Sequence, residues 1–314
     1  MSELTVPLTA TFIRVAEVWV PDGDKLVLNS GTYGDFSAFE AASKHESFAK
    51  GRGLPGKAWA EARPIVLKEF DGSYFKRTEA AHEAGLTSAV AIPLFAGRAL
   101  KAVLVVLCGG DVDHMGAIEV WQDNGASLML DGGYYGDATE FETISLRTHF
   151  SYGQGLPGGV WASQTPTLMR DLGSGYGFIR SAVAGKAGLK HGLGLPIPTP
   201  GKGNYVLTLL SGENTPIARR FEIWDARPAC AGATRQAMLV DGICEREGPL
   251  YSQQNPPVDA AVTGVWQGPI GQVLGSGIPN LQTGGTGLPA GYRSMVAMPL
   301  YRDAELAYVV AWYL

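Results

Sequence analysis

Few residues of this 314-residue chain are spaced for bond-making chemistry. His45, His82, His114 and His149 are scattered without His-x3-His or His-Glu-x-x-His spacing, so a metal site has no support and no metal is expected. Cys108, Cys230 and Cys244 lack Cys-x-x-Cys spacing and are too few for a disulfide framework, which points to reduced thiols and a cytoplasmic location. No Gly-x-Ser-x-Gly marks a serine nucleophile, and Gly284-Gly285-Thr286-Gly287 lacks the Lys-Ser/Thr ending of a phosphate loop. What remains is the chemistry of binding. Arg170, Phe178 and Arg180 suit an anionic or planar small molecule, His191 is a further candidate ligand contact, and Ser88 and Phe75 are the candidates in the first third of the chain. A plainer reading stands beside each: a hydrogen-bonded histidine at a strand start, and surface arginines.

Composition narrows the partners. A net charge of −5 argues against nucleic acid, and the chain has no apolar run of about 20 residues, so no membrane partner is expected. The opening residues lack a signal-peptide profile. Glycine, at 42 residues, is roughly twice its usual share, and charged residues at 18% fall below the usual quarter, which describes a turn-rich folded protein.

The elements that must position these residues occur three times. Glu-x-Trp stands at Glu17-Val18-Trp19, Glu119-Val120-Trp121 and Glu222-Ile223-Trp224, 102 and 103 residues apart. Each is followed by a helix entry: Gly53-Leu54-Pro55-Gly56, Gly155-Leu156-Pro157-Gly158 and a decayed Gly268-Pro269-Ile270-Gly271. An apolar strand with a fixed proline comes next, at Pro93, Pro196 and Pro299, and each unit closes on a β-rich run. The expected units are 1–110, 111–213 and 214–314. In the third, the helical stretch seen at Tyr74 to Glu83 and Phe178 to Ala187 is replaced by Gln282 to Gly287, which cannot meet the entropic cost of a helix.

Within a unit, Asp22-Gly23-Asp24 joins a hairpin, and Ser37 to Phe48 and Lys57 to Ala62 read as short helices. The class is α+β, each unit an antiparallel sheet with short covering helices. Alternation puts Glu and Trp of each Glu-x-Trp on one sheet face and Val18, Val120 or Ile223 on the other. The Glu/Trp face then reads as a partly wet surface, an inter-unit seam or simple architecture, and threefold recurrence favours architecture. Both faces of the closing strands are apolar, so the second face must pack on another unit, on residues 1–14 or on a second chain.

The string Gly51-x-Gly53-Leu54-Pro55-Gly56-x-x-Trp59, Arg63-Pro64-Ile65-Val66 and Gly85 to Leu94 resembles the GAF domain family, and so does its second copy. The resemblance implies three tandem copies, the third degenerate, with a ligand held between one sheet face and the covering helices. It also supplies tests. The spaced Asn, Lys, Phe, Asp, Glu signature of cyclic-nucleotide-binding members is missing. No cysteine is followed by histidine, so no covalent bilin is expected, and the cofactor stays unknown. The free methionine sulfoxide reductases of this family gather cysteines around one pocket, whereas here Cys108 lies in one unit and the other two in another. The resulting expectation is a non-enzymatic, small-ligand-binding or sensory protein that signals through a protein partner or self-association. The alternative is an assembly scaffold whose pockets have closed.

Overall fold

The computed structural model describes residues 11–110, 114–174, 177–201, 203–228, 234–250, 261–284, 288–289 and 291–314. Three antiparallel sheets follow one another along the chain. The first comprises β1 (Ile13–Asp22), β2 (Lys25–Thr32), β3 (Ser47–Ala49), β4 (Ile65–Leu67), β5 (Leu86–Ala96) and β6 (Ala99–Gly109), with α1 (Ser37–Lys44), α2 (Gly53–Glu61) and α3 (Thr78–Glu83) between them. The second comprises β7 (Met115–Asp123), β8 (Leu128–Gly136), β9 (His149–Phe150), β10 (Thr167–Met169), β11 (Leu189–Ile197) and β12 (Tyr205–Gly212), with α4 (Thr139–Ser145), α5 (Gly155–Ser163) and α6 (Ser181–Lys186). The third holds β13 (Arg220–Asp225), β14 (Gln236–Cys244), β15 (Gly248–Pro249), β16 (Val262–Gly264), β17 (Asn280–Thr283), β18 (Ser294–Arg302) and β19 (Glu305–Tyr313), and among its described residues one helix, α7 (Gly268–Ser276). The glycine-rich replacement for the missing helix lies partly outside the described residues, at 285–287.

Strand order repeats: β3-β2-β1-β6-β5-β4, β9-β8-β7-β12-β11-β10 and β15-β14-β13-β19-β18-β17. In every unit the first strand pairs with the last strand of its own unit, so strands are not shared across the connectors. The hairpin β1–β2 closes through Gly23, whose φ of 63° only glycine adopts freely. The first helix is shorter than its sequence suggested, ending at Lys44, because Phe48 is needed as a strand residue opposite Leu26. The second starts earlier, at Gly53, again with φ near 61°.

The last glycine of each helix-entry motif has a steric reason. A Cβ on Gly56, Gly158 or Gly271 would stand 2.2–2.3 Å from the backbone oxygen of Ala49, Ser151 or Gly264. That contact lets the helix start touch the neighbouring chain. Gly158→Ala must push the two apart, and we expect a loss of about 1–3 kcal/mol, measured as a lower denaturant midpoint. A midpoint within error of wild type would show that the helix start can shift freely.

The sheet faces divide cleanly. On one, Val15 and Trp19 with Val103, Val105 and Leu107 pack under α1 to α3, and the second unit repeats this with Ala117, Trp121, Val206 and Leu210. The other faces of all three sheets meet in a single core. Val18, Ile92 and Leu104 of the first, Val120, Leu195 and Leu207 of the second, and Ile223, Met298 and Val310 of the third belong to it. This covers in cis the face that the sequence left open, so that face no longer calls for a second copy. The seam is therefore the Val/Ile side of each Glu-x-Trp strand, and the Glu/Trp side is fully buried under the helices. One alternation fails: Leu306 turns to the helix side and Ala307 to the shared core, because the chain is bulged between the Leu300 and Tyr301 pairings.

Candidate functional site

A carboxylate buried in a sheet face needs hydrogen-bond donors and a counter-charge. Glu119, with no exposed surface, has both. Arg180, at the start of α6, meets it bidentately, Nη2 to Oε2 at 2.9 Å and Nη1 to Oε1. Trp121 Nε1 donates to Oε2 at 3.1 Å, Tyr135 OH to Oε1 at 3.1 Å and Thr208 Oγ1 to Oε2 at 2.9 Å. Burial alone would raise the carboxyl pKa, but Arg180 and the hydroxyl donors hold it below the ordinary range. Arg180 also donates to Ser145 Oγ, and its guanidinium lies 4.5–5.5 Å from the ring centroids of Phe141, Trp121, Phe178 and Phe150.

The first unit builds the same cluster. Arg77 holds Glu17 bidentately and donates to Ser43, while Trp19 Nε1 and Tyr33 OH donate to Glu17 at 3.0 and 3.1 Å. Phe39, Phe75, Trp19 and Phe48 surround the guanidinium. Tyr33 and Tyr135 reach their glutamates over Gly31 and Gly133, which face Glu17 and Glu119 across the sheet, and a Cβ on either glycine would strike the tyrosine ring. In the third unit, where no helix among the described residues carries an arginine, Arg220 from the same strand meets Glu222 at 2.6 and 2.7 Å. There Tyr313 from β19 supplies the hydroxyl, donating at 2.8 Å, and Trp224 keeps its place at 2.9 Å.

The space between sheet and helices, where the family resemblance places a ligand, thus holds the protein's own guanidinium in the first two units. Sequence reasoning named Arg180, Phe178 and Phe75 but missed Arg77, Ser43 and Tyr33 in the first unit and Ser145 and Tyr135 in the second. Their signal was the same repeat, since Arg77 and Arg180 are 103 residues apart and Ser43 and Ser145 are 102.

The other named residues lie on the opposite sheet face or at a seam. Ser88 and His191 share strand parity with Val90 and Leu193, which belong to the shared core, so neither faces the guanidinium. Ser88 is buried opposite Cys108, a free thiol that burial pushes well above its ordinary pKa. Arg170 crosses to the third unit, donating to Asp241 at 2.6 Å and to the Gly242 carbonyl at 2.9 Å, so it is an inter-unit tie.

His191 instead borders a cleft of about 350 Å³ between the second and third units, floored by Phe221, Ile243 and Ala218 and rimmed by Asp171, Lys190 and Glu245. Burial lowers its pKa, with Asp171 opposing, so the ring is neutral at neutral pH, and its Nδ1 makes no hydrogen bond to a described residue. Cys244 lines the same cleft as a free thiol near Tyr292 OH, at 3.1 Å. Cys230 lies outside the described residues. Among those described, no group of three or more His, Cys, Asp or Glu is placed to hold a metal ion, and no helix is long and apolar enough to cross a membrane.

The family model described as the GAF domain, a family in general of ligand-binding or sensory modules, matches residues 2–122, which take in the first unit and the start of the second. None of the curated proteins matches the chain. Among solved structures it is similar to a GAF domain from A. aeolicus in an inactive state, at 21% identity and TM-score 0.26, covering 32% of this chain and 59% of that one. It is also similar to the free methionine-R-sulfoxide reductase of Neisseria meningitidis in complex with its substrate, at 20% identity and TM-score 0.25, covering 31% and 52%. The type II enzyme of Thermoplasma acidophilum matches at 11% identity and TM-score 0.25, covering 31% and 62%. These matches span about half to three-fifths of the other chains. They also correct one expectation: enzymes stand among the structures this chain resembles, so the reading that it is not an enzyme is withdrawn.

Proposed function

We propose that this chain is a small-ligand-binding or sensory protein in which three GAF-like units, 1–110, 111–213 and 214–314, act as one body, and in which recognition has moved from beneath the helices to the seams. The observation that carries this reading is the Arg180–Glu119 pair with its copy at Arg77–Glu17, which fills the helix-side space with a neutralised, bidentately paired charge. A ligand there would have to displace a bidentate ion pair. The cleft beside His191 has an apolar floor, charges of both signs on its rim and one imidazole nitrogen ready for a partner. Output passes to a protein partner in the cytoplasm.

The same filled interiors favour a second reading, an assembly scaffold with closed pockets. A thermal-shift screen of small metabolites against the whole chain separates the two. We expect a stabilising compound whose binding His191→Ala weakens by about 1–3 kcal/mol, as for loss of a buried polar contact. A screen without any hit, together with native mass spectra free of bound small molecules, would leave the scaffold reading standing. A hit with unchanged affinity for His191→Ala would remove this cleft from the proposal.

A further inference from the structure

The three units repeat their register as well as their strand order. The residue before each Glu-x-Trp, namely Ala16, Ile118 or Phe221, pairs with Thr32 in the first unit, Tyr134 in the second and Ile243 in the third. One position thus carries three side chains of different size, each at a seam with another unit. Where the first and second units meet, Tyr134 fills the seam: its hydroxyl donates to the Gly109 carbonyl at 2.9 Å and lies 3.2 Å from Thr87 Oγ1, with the ring of Phe12 5.4 Å away. Ile243 is too short to reach across, and the cleft of about 350 Å³ beside His191 opens there. Thr32, shorter still, lines a cavity of about 420 Å³ where the third unit meets the first.

The surroundings of Tyr134 have counterparts in the cleft. His191 pairs with Ser211 as Ser88 pairs with Cys108, and Gly212 pairs with Leu189 as Gly109 pairs with Leu86, so Gly212 and His191 stand where Gly109 and Ser88 stand one unit earlier. Both line the cleft, over a floor of Phe221, Ile243 and Ala218. Its rim offers little to an ion, since Lys190 lies 3.4 Å from Glu213 and Arg219 4.0 Å from Glu245. A volume of about 350 Å³ is near the lower end of the ~300–1,000 Å³ of small-molecule sites, which suits one substituted ring. We propose that this cleft takes a small uncharged phenol, whose ring occupies the place that Tyr134 fills at the first seam and whose hydroxyl lies at the Gly212 carbonyl and donates to Nδ1 of His191. A neutral imidazole accepts there, and this nitrogen makes no hydrogen bond to a described residue. The phenol class rests on the reading of this cleft as the recognition site and is tested apart from it.

The test uses the whole chain with three probes: p-cresol, which is the tyrosine side chain as a free molecule, toluene, which lacks the hydroxyl, and 4-methylbenzoate, which is charged. Calorimetric titration and the unfolding midpoint are the readouts, since a ligand that binds only the folded state raises the midpoint. We expect p-cresol to bind and raise the midpoint, and toluene and 4-methylbenzoate to bind about tenfold more weakly or worse, as for loss of one buried hydrogen bond or burial of an unpaired charge. In His191→Ala the preference for p-cresol over toluene should fall to about one. Ile243→Tyr should rebuild the arrangement of the first seam, keeping the unliganded midpoint and losing p-cresol binding; full binding by a folded Ile243→Tyr would overturn the proposal. Tyr134→Ala covers the case in which Ile243→Tyr fails to fold: it opens a second place for the ring, so p-cresol should raise its midpoint by more than it raises that of the wild type, and an equal rise would overturn the equivalence of the seams. Wild-type midpoints that p-cresol leaves unmoved, or tighter binding of 4-methylbenzoate, would overturn the phenol class. The cleft itself would survive that result if a compound of another class bound and lost affinity in His191→Ala.

Discussion

Glu119→Ala is expected to destabilise the protein by about 3–5 kcal/mol, because it leaves the Arg180 guanidinium buried with no counter-charge. Only 3% of Arg180 is exposed, so water cannot take over from the lost carboxylate. Three further residues, Trp121, Tyr135 and Thr208, lose an acceptor each, and Ser145 is left beside an unpaired cation. The double variant Glu119→Leu with Arg180→Met should lose much less than Glu119→Ala, since apolar groups of similar size can replace a buried pair at little net cost. Urea unfolding of the single and double variants gives the comparison. If the double variant is as unstable as Glu119→Ala, then the hydroxyl network carries the stability and the ion pair does not.

The same pair sets the acid limit. The carboxyl of Glu119 has a folded pKa below its unfolded value of about 4.3. Its contribution is therefore complete above the unfolded pKa and is lost as pH falls through the folded one. Between neutrality and the ordinary carboxylate range this pair adds no pH dependence; below that range it should steepen acid unfolding, and Glu119→Gln should flatten that slope.

Residues 113–212 expressed alone are expected to aggregate or to remain molten. Excision bares Ile118, Val120, Leu193, Leu195, Ile197, Leu207 and Leu209, all buried in the core shared with the other two sheets. Burying such a side chain contributes about 1.5–3 kcal/mol, so together these residues outweigh the about 5–15 kcal/mol that keeps an ordinary domain folded. Excision also breaks the Arg170–Asp241 tie. Calorimetry and light scattering decide the matter: a soluble monomer that unfolds in one sharp transition would show that the shared core is dispensable. A single cooperative transition of the whole chain is the matching expectation.

Much of this arrangement was readable from residue order. The Glu-x-Trp, glycine-proline and proline-strand repeats located three units of one strand order, since hydrogen-bond ladders and tight turns depend on near neighbours. Alternation along Leu104, Val105 and Val106 also showed that both sheet faces had to be covered. Sequence alone did not determine what covered them. Only packing decided that the second faces of three sheets would close on one another, because apolar surface is non-directional and any apolar partner satisfies it equally. Tertiary structure likewise decided the fate of Arg180: the sequence offers a cation near a helix start, and whether it meets a ligand, water or Glu119, 61 residues away, depends on which strand lies beneath it. His191 and Ser88 were named as candidate ligand contacts, yet one residue of strand parity turns them to the face opposite the covering helices. That parity is set by the register between β11 and β12 and between β5 and β6, which long-range pairing fixes and local sequence does not.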